Sequence, residues 1–343
     1  MNFLDLFAGI GGFRLGMERA GHKCVGYCEI DKYARLSYNA IHNTEGEIDY
    51  KDITEVTNEE FRELRGKVDV ICGGFPCQAF SIAGNQLGFE DARGTLFYEI
   101  ARAAEQVKPR YLFLENVRNL LSHDKGKTFT SMLNILDELG YDAEWQVLNS
   151  KNFGVPQNRE RVFIIGHLRG ECTYRVFPIR GKDEKFNTDG EINQVGNIGK
   201  SDNFGGNPQV TRVYDINGIS PTFNTMQGGG REPKILVREA TKQGYAVAGV
   251  GDSINFSHPN SKTRRGRVGK NIANTLLTSD EQGVVLSDYK IRKLTPRECW
   301  RLQGFPDWAF DKAQAVNSNS QLYKQAGNSV TVNVIEEIAK RLK

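Results

Sequence analysis

Short apolar runs and helix-spaced stretches take turns along the first half of the chain. Residues 2–7 alternate apolar and polar positions, residues 8–12 form a glycine turn, and residues 13–20 carry helical spacing that stops at Gly21. The same reading predicts strands over 23–30, 48–50, 68–71, 110–116, 142–148 and 161–168, with helices over 93–106 and 128–139. Strand and helix in repeated alternation predict an α/β fold built on a doubly wound, mostly parallel sheet.

The texture changes at about Glu171. Residues 171–290 are rich in Gly, Asn, Ser and Thr, with short strand candidates at 234–237, 244–250 and 283–286 and no long helical period. This predicts a smaller, mainly β, loop-rich domain. Helical character returns after Lys290, where Thr295 caps a helix with Pro296 at its first position and Cys299, Trp300 and Leu302 on its apolar face. A turn at 304–307 follows, and residues 327–330 lead into an amphipathic helix over 332–342. The expected divisions are therefore 1–170, 171–290 and 291–343.

Composition narrows the class. The 343 residues are those of a water-soluble protein, without an apolar run of membrane-spanning length. The chain opens almost directly on a strand pattern with no signal-peptide character, so a cytoplasmic, monomeric protein without membrane contact is expected. Six cysteines (Cys24, Cys28, Cys72, Cys77, Cys172 and Cys299) are scattered, with no C-x-x-C pair or adjacent histidine, which predicts reduced thiols and no metal site. The net charge is +3, and 16 Lys and Arg against 13 Asp and Glu in residues 171–290 account for all of it. So modest an excess does not by itself imply nucleic acid.

Candidate chemistry centres on V-D-V-I-C-G-G-F-P-C-Q, residues 68–78. An apolar strand empties through Gly73, Gly74 and Pro76 onto Cys77, at the place where an open parallel sheet presents side chains to its crevice. A lone cysteine is most often a small buried hydrophobe, so the nucleophile reading depends on its neighbours. Glu115 ends the next strand, and a carboxyl group beside a thiol suits addition to a polar ring. Glu29 and Asp52 also stand at strand ends, and Glu29 lies about twenty residues past the glycine turn, where an acid holds a ribose hydroxyl in nucleotide sites. Arg159 and Arg161 alternate before a strand and so share a face. The pattern I-x-x-T-x-x-T occurs at 219–225 and at 272–278, and Lys262, Arg264, Arg265, Arg267 and Lys270 precede the second copy as a candidate phosphate-contacting loop.

Taken in order, these motifs resemble those of the DNA (cytosine-5)-methyltransferases. D-L-F-A-G-I-G-G-F is similar to the family's first cofactor motif, G-G-F-P-C-Q-A-F-S to its catalytic loop, E-N-V to its acid motif, and Q-N-R-E-R to its Q-x-R-x-R motif. K-L-T-P-R-E-C-W-R-L-Q-G-F-P and Q-A-G-N-S-V resemble its last two, and residues 171–290 take the place of its target recognition domain. The resemblance implies a class I fold that binds S-adenosylmethionine, with residues 291–343 returning to the first domain. Phe7, Gly9, Ile10, Gly11 and Gly12 would line the cofactor, and Glu29 would hold its ribose. Ile30 and Pro76 would pack on it, Asp52 and Ile53 would meet its adenine, and Leu96, Asn328, Ser329 and Val330 would complete the pocket.

For the reaction, the resemblance implies that Cys77 attacks C6 of a flipped-out cytosine, Glu115 stabilises protonated N3, and Arg161 holds O2 and orients Glu115. Arg159, Gln78 and Ser81 would support the loop and nearby phosphates. Two pairs, Thr222-Phe223 and Thr275-Leu276, both resemble the family's recognition dipeptide. Ile30 stands where many relatives carry an aromatic residue. The partner implied is double-stranded DNA, with a companion restriction endonuclease that forms no stable complex. An RNA cytosine-5 methyltransferase and a catalytically silent DNA-binding regulator are the competing readings.

Overall fold

The computed structural model describes residues 1–76, 96–180, 213–215, 234–257, 261, 263–278, 282–286 and 291–343. The main sheet contains β1 (Asn2–Leu6), β2 (Lys23–Cys28), β3 (Ile48–Tyr50), β4 (Val70–Gly74), β5 (Tyr111–Val117), β6 (Tyr141–Asn149) and β7 (Glu160–Leu168). Their order is β3-β2-β1-β4-β5-β7-β6, with every pair parallel except the two that involve β7. The chain runs outward in one direction from β1 and in the other from β4. Such a reversal opens a crevice beyond the carboxyl ends of these two strands.

Period-two alternation sorts the strands onto two cores. Leu4, Leu6, Ile71, Leu112 and Leu114 face one layer, with α3 (Asn58–Arg62), α4 (Leu96–Val107) and α5 (Lys127–Glu138). Phe3, Val70, Cys72, Tyr111 and Phe113 face the other, which holds α1 (Gly12–Arg19) and the C-terminal helix α9 (Val332–Ala339). The helix α2 (Lys32–Ile41) was not foreseen from the sequence, although Ala34, Ser37, Tyr38 and Ile41 are buried at helical spacing and Asp31 caps it through the N–H groups of Tyr33 and Ala34.

The second domain is built from two small sheets. β8 (Val213–Asp215), β9 (Lys234–Arg238) and β10 (Tyr245–Ala248) form one; β11 (Ser253–Asn255), β12 (Val268–Gly269), β13 (Gln282–Val285) and β14 (Ile291–Lys293) form an antiparallel other. Its limits interleave with those of the first domain. Val176, Phe177 and Ile179 stay in the α1/α9 core, six to nine residues past residue 170, while β14 joins the small sheet from within 291–343. Ala273 bridges to Gln157, and Leu276 packs with Trp300, Phe305 and Leu322.

Past Lys293 come α6 (Pro296–Leu302), α7 (Asp307–Gln314), α8 (Asn319–Asn328) and α9. The α6 start is a capping box in which Thr295 and Glu298 satisfy each other's backbone N–H groups. Trp300 anchors α6 on α8 by donating to the Leu322 carbonyl at 2.9 Å. The turn at 304–307 is the entry to α7, which was not anticipated. Among the described residues no helix is long and apolar enough to cross a membrane, and no three His, Cys, Asp or Glu side chains group as metal ligands.

One polar residue breaks the alternation inward. Asp5 sits in the middle of β1, fully buried, and neither carboxyl oxygen has a hydrogen-bond partner. Burial outweighs the attraction of Arg14 and pushes its carboxyl up to about 8. The unfolded chain releases this proton near the ordinary carboxylate value while the folded chain keeps it, so folding stability is lost as pH rises from about 4 to about 8. Asp5→Asn is expected to flatten that slope by up to about 1.4 kcal/mol per pH unit, read by urea unfolding at several pH values. Parallel slopes for the two proteins would refute it.

Candidate active site

The crevice at the β1/β4 reversal is a cavity of about 480 Å³, within the size range of small-molecule sites. Phe7, Gly9 and Ile10 line it from the turn after β1, Glu29 and Ile30 from the end of β2, and Asp52 and Ile53 from beyond β3. Pro76 and Leu96 close a third side, and Asn328 and Ser329 a fourth. The remaining three residues expected at the cofactor stand behind that wall. Gly11 and Gly12 face protein, and Val330 is buried in the α1/α9 core.

Close approach explains why these turn positions are glycines. Gly11 has φ 83°, and a Cβ there would lie 2.1 Å from the His42 imidazole. A Cβ on Gly12 would meet Ser329 and Val330 at 2.8 Å. The turn is thus sandwiched between α2 and the C-terminal segment. Gly9 instead donates its N–H to the Glu29 carboxylate at 2.7 Å, and Asp31 N–H reaches the other oxygen at 2.7 Å. Each oxygen keeps a lone pair for a further donor. Burial raises the Glu29 carboxyl above the usual range, against those two N–H groups. Across the mouth, Lys324 on α8 pairs with Asp31 at 2.6 Å, a contact absent from the sequence reading.

The opposite end of the cavity is charged. Glu115 aligns with Gly74 across β4 and β5, so a strand end and a glycine bring its carboxyl over the crevice. Asn116 ties the two loops together by donating to the Phe75 carbonyl at 2.9 Å. Arg161, near the start of β7, sets its Nε 3.0 Å from Glu115 Oε1. Burial pushes the Glu115 carboxyl up, and Arg161 and Arg159 pull it down; burial prevails. Cys77, Gln78 and Ser81 lie outside the described residues, but Pro76, immediately before Cys77, lines this cavity with Glu115 and Arg161.

Arg159 was expected to support the catalytic loop and nearby phosphates. The residue is 3% exposed, and its guanidinium donates to the carbonyls of Leu276, Gly327 and Ser329 at 3.3, 3.0 and 2.8 Å. Desolvation, with Arg161 nearby, brings it down to about 9, which leaves it protonated at neutral pH. The basic loop divides similarly. Arg265 is exposed, with its Nε on the Ala240 carbonyl, and Arg264 is half-buried. Arg267 is buried and donates to the Ser257 carbonyl at 2.9 Å, so it braces the small domain and does not face solvent. Periodicity gave no sign of this, because burial of an arginine depends on carbonyls distant in sequence.

Of the two Thr-hydrophobic pairs, Thr222-Phe223 lies outside the described residues. Thr275 donates from Oγ1 to the Asn158 carbonyl at 2.7 Å, and Leu276 is buried beside α6 and α8. Residues 273–276 therefore run alongside the stretch that carries Arg159 and Arg161.

Replacing Gly11 with alanine combines a strained φ with a clash, whereas Gly9, at φ 57°, has open space around a new Cβ. Gly11→Ala is expected to lower stability by roughly 2 kcal/mol more than Gly9→Ala, read from urea midpoints. Equal losses would show that His42 yields freely.

Comparison with known proteins agrees with this geometry. The family model for C-5 cytosine-specific DNA methylases matches residues 1–343. The type II methyltransferase M.HpaII of Haemophilus parainfluenzae is 36% identical, with 99% of this chain and 88% of that protein covered. The orphan methyltransferase M.SPRI of Bacillus phage SPR is 34% identical, covering 100% and 97%. In fold, the chain is similar to the Dnmt2 methyltransferase of S. pombe at a TM-score of 0.55 and 17% identity, covering 98% and 96%. A prophage-encoded protein from E. coli reaches a TM-score of 0.60 at 22% identity, covering 99% and 97%. A buried acid–arginine pair, a glycine-walled crevice and a family match along the whole chain converge: this protein belongs to the C-5 cytosine-specific DNA methylase family and is a DNA (cytosine-5)-methyltransferase.

Proposed function

We propose that the protein methylates C5 of a cytosine flipped out of duplex DNA, through a covalent bond between Cys77 and C6, with S-adenosylmethionine as donor. The observation that carries this reading is the Glu115–Arg161 pair, held in the same cavity as Pro76 and the Glu29 end of the crevice. The cavity fits the donor: Glu29 offers carboxylate lone pairs for ribose hydroxyls, and Phe7, Ile30, Ile53 and Leu96 offer apolar surface for a ring. When bound, S-adenosylmethionine supplies an electrophilic methyl group.

Cytosine C5 is a weak nucleophile until C6 is saturated. The Cys77 thiolate forms the S–C6 bond, the ring electrons move toward N3, and Glu115 holds a proton there. A carboxyl whose affinity for protons is raised by burial is suited to that donation. Arg161 orients Glu115 and offers its remaining N–H groups to O2 of the base. C5 takes the methyl group as the methyl–sulfur bond of the donor breaks; the C5 proton then passes to solvent water, its bonding electrons restore the C5–C6 double bond as the S–C6 bond breaks to free Cys77, and the N3 proton returns to Glu115. A base stacked in a duplex is out of reach, so the cytosine must be extruded into the site. Arg159 positions the segment carrying Thr275-Leu276, which supports that pair as the one beside the target base. Arg264 and Arg265 are left as the phosphate-facing members of the basic loop. The cytoplasm, a monomeric state and a free-standing restriction endonuclease partner complete the reading.

Labelled donor incubated with duplex DNA, matched RNA and buffer distinguishes the substrates, and label in RNA alone would overturn the proposal. Cys77→Ala should abolish transfer while donor binding persists. Glu115→Gln should slow transfer by about 10²- to 10⁴-fold with donor affinity kept. A duplex with 5-fluorocytosine should trap an adduct on Cys77, and mass spectrometry that places it elsewhere would refute the chemistry. Neutralising Arg264 and Arg265 should reduce the salt dependence of DNA binding, whereas Arg267→Ala should chiefly lower folding stability. A shallower salt slope from Arg267→Ala, with stability unchanged, would reverse that assignment.

A further inference from the structure

Two amide side chains on separate segments, Gln157 and Gln303, are each 0% exposed and bonded to one another. Gln157 Oε1 accepts from the Leu276 N–H at 3.2 Å, and its Nε2 donates to the Leu302 carbonyl at 2.8 Å and to Gln303 Oε1 at 3.3 Å. Gln303 Nε2 donates to the Ala326 carbonyl at 2.7 Å, and its Oε1 also accepts from the Thr331 hydroxyl at 2.9 Å. These partners fix both amide orientations, since a flip of either would set donor against donor and acceptor against acceptor. Only a side chain with both a donor and an acceptor serves at either position.

The pair spans two places of functional interest. On one side lies the 271–278 segment with Thr275-Leu276; on the other lie residues 326–329, whose last three line the crevice. The two segments also touch directly. A Cβ on Gly327 would fall 2.2 Å from the Leu277 carbonyl oxygen, so neither can shift far without the other.

We infer that Gln157 and Gln303 are positioning residues that link the seating of the 271–278 segment to the 326–329 wall of the crevice. The inference rests on reading that crevice as the cofactor site. Order imposed on 327–329 by a crevice ligand then passes to Leu276 through the amide pair, and seating of the recognition segment favours the ligand in return, as linkage requires.

Hydrogen exchange tests this, with S-adenosylhomocysteine as the probe and the full chain as the protein. Binding should slow exchange in 271–278 by about tenfold in the wild type. Gln303→Leu and Gln157→Leu should each abolish that response, and the double variant should lose no more than the larger single loss, because the amides act as one unit. Gln303→Met, which keeps the length of the side chain and loses both amide functions, should behave as Gln303→Leu, and urea midpoints measured for each variant separate loss of the response from loss of the fold. If the probe binds and 271–278 is unchanged in the wild type, or if the variants keep the full response, the inference fails and the cofactor reading stands. If the probe does not bind the wild type, the cofactor reading fails and takes the inference with it.

Discussion

The Arg159 guanidinium, buried where three chain segments meet, is the contact on which the arrangement of the crevice depends. A cation out of water needs acceptors in several directions, and the carbonyls of Leu276, Gly327 and Ser329 supply them. Glu115 adds the compensating charge through the neighbouring Arg161. The cost of leaving such a cation unpaired is large, so the second domain's inner segment and the C-terminal turn are drawn to the same point. Two domains thereby become one site.

Around that point the backbone is packed unusually close. Gly11 against His42, Gly12 against Ser329, and Gly327 against Leu277 are contacts in which a Cβ would overlap a neighbour. Each lets two segments close against one another beside the crevice. The result is a cavity whose polar atoms arrive from the ends of β1 and β2, from β5 and β7, and from the end of α8, positioned by a sheet that reverses direction at its centre. Its two ends differ in chemistry. Glu29 is occupied by backbone N–H groups, while Glu115 faces a guanidinium. Burial lifts both carboxyls, so each is held by directional partners and not by solvent.

The same economy extends to the domain boundary. Residues 176–179 pack on the first core, β14 returns to the small sheet, and 273–276 lie on the C-terminal helices. A boundary crossed this often cannot open by simple hinge motion without breaking the buried amide and guanidinium bonds, which are costly to leave unsatisfied. This favours small, coupled shifts of the 271–278 and 326–329 segments.

Much of the fold was legible in the sequence because its signals are local. Alternation over 2–7 and 161–168, glycine stops and the Thr295 cap follow from backbone sterics and from one face seeking the core, and they predicted the sheet and most of its helices. The strand was read as running to Ile30 with no helix after it, although Asp31 caps one. The candidate site was legible as residue types at strand ends: Glu29, Glu115 and Arg161 do meet in one crevice. Which arginine is spent on carbonyls, and that Leu276 packs against the C-terminal helices, emerge only in three dimensions. Arg159, Arg161, Arg264 and Arg267 look alike in one dimension, and a guanidinium's role depends on which oxygens surround it once distant segments have packed.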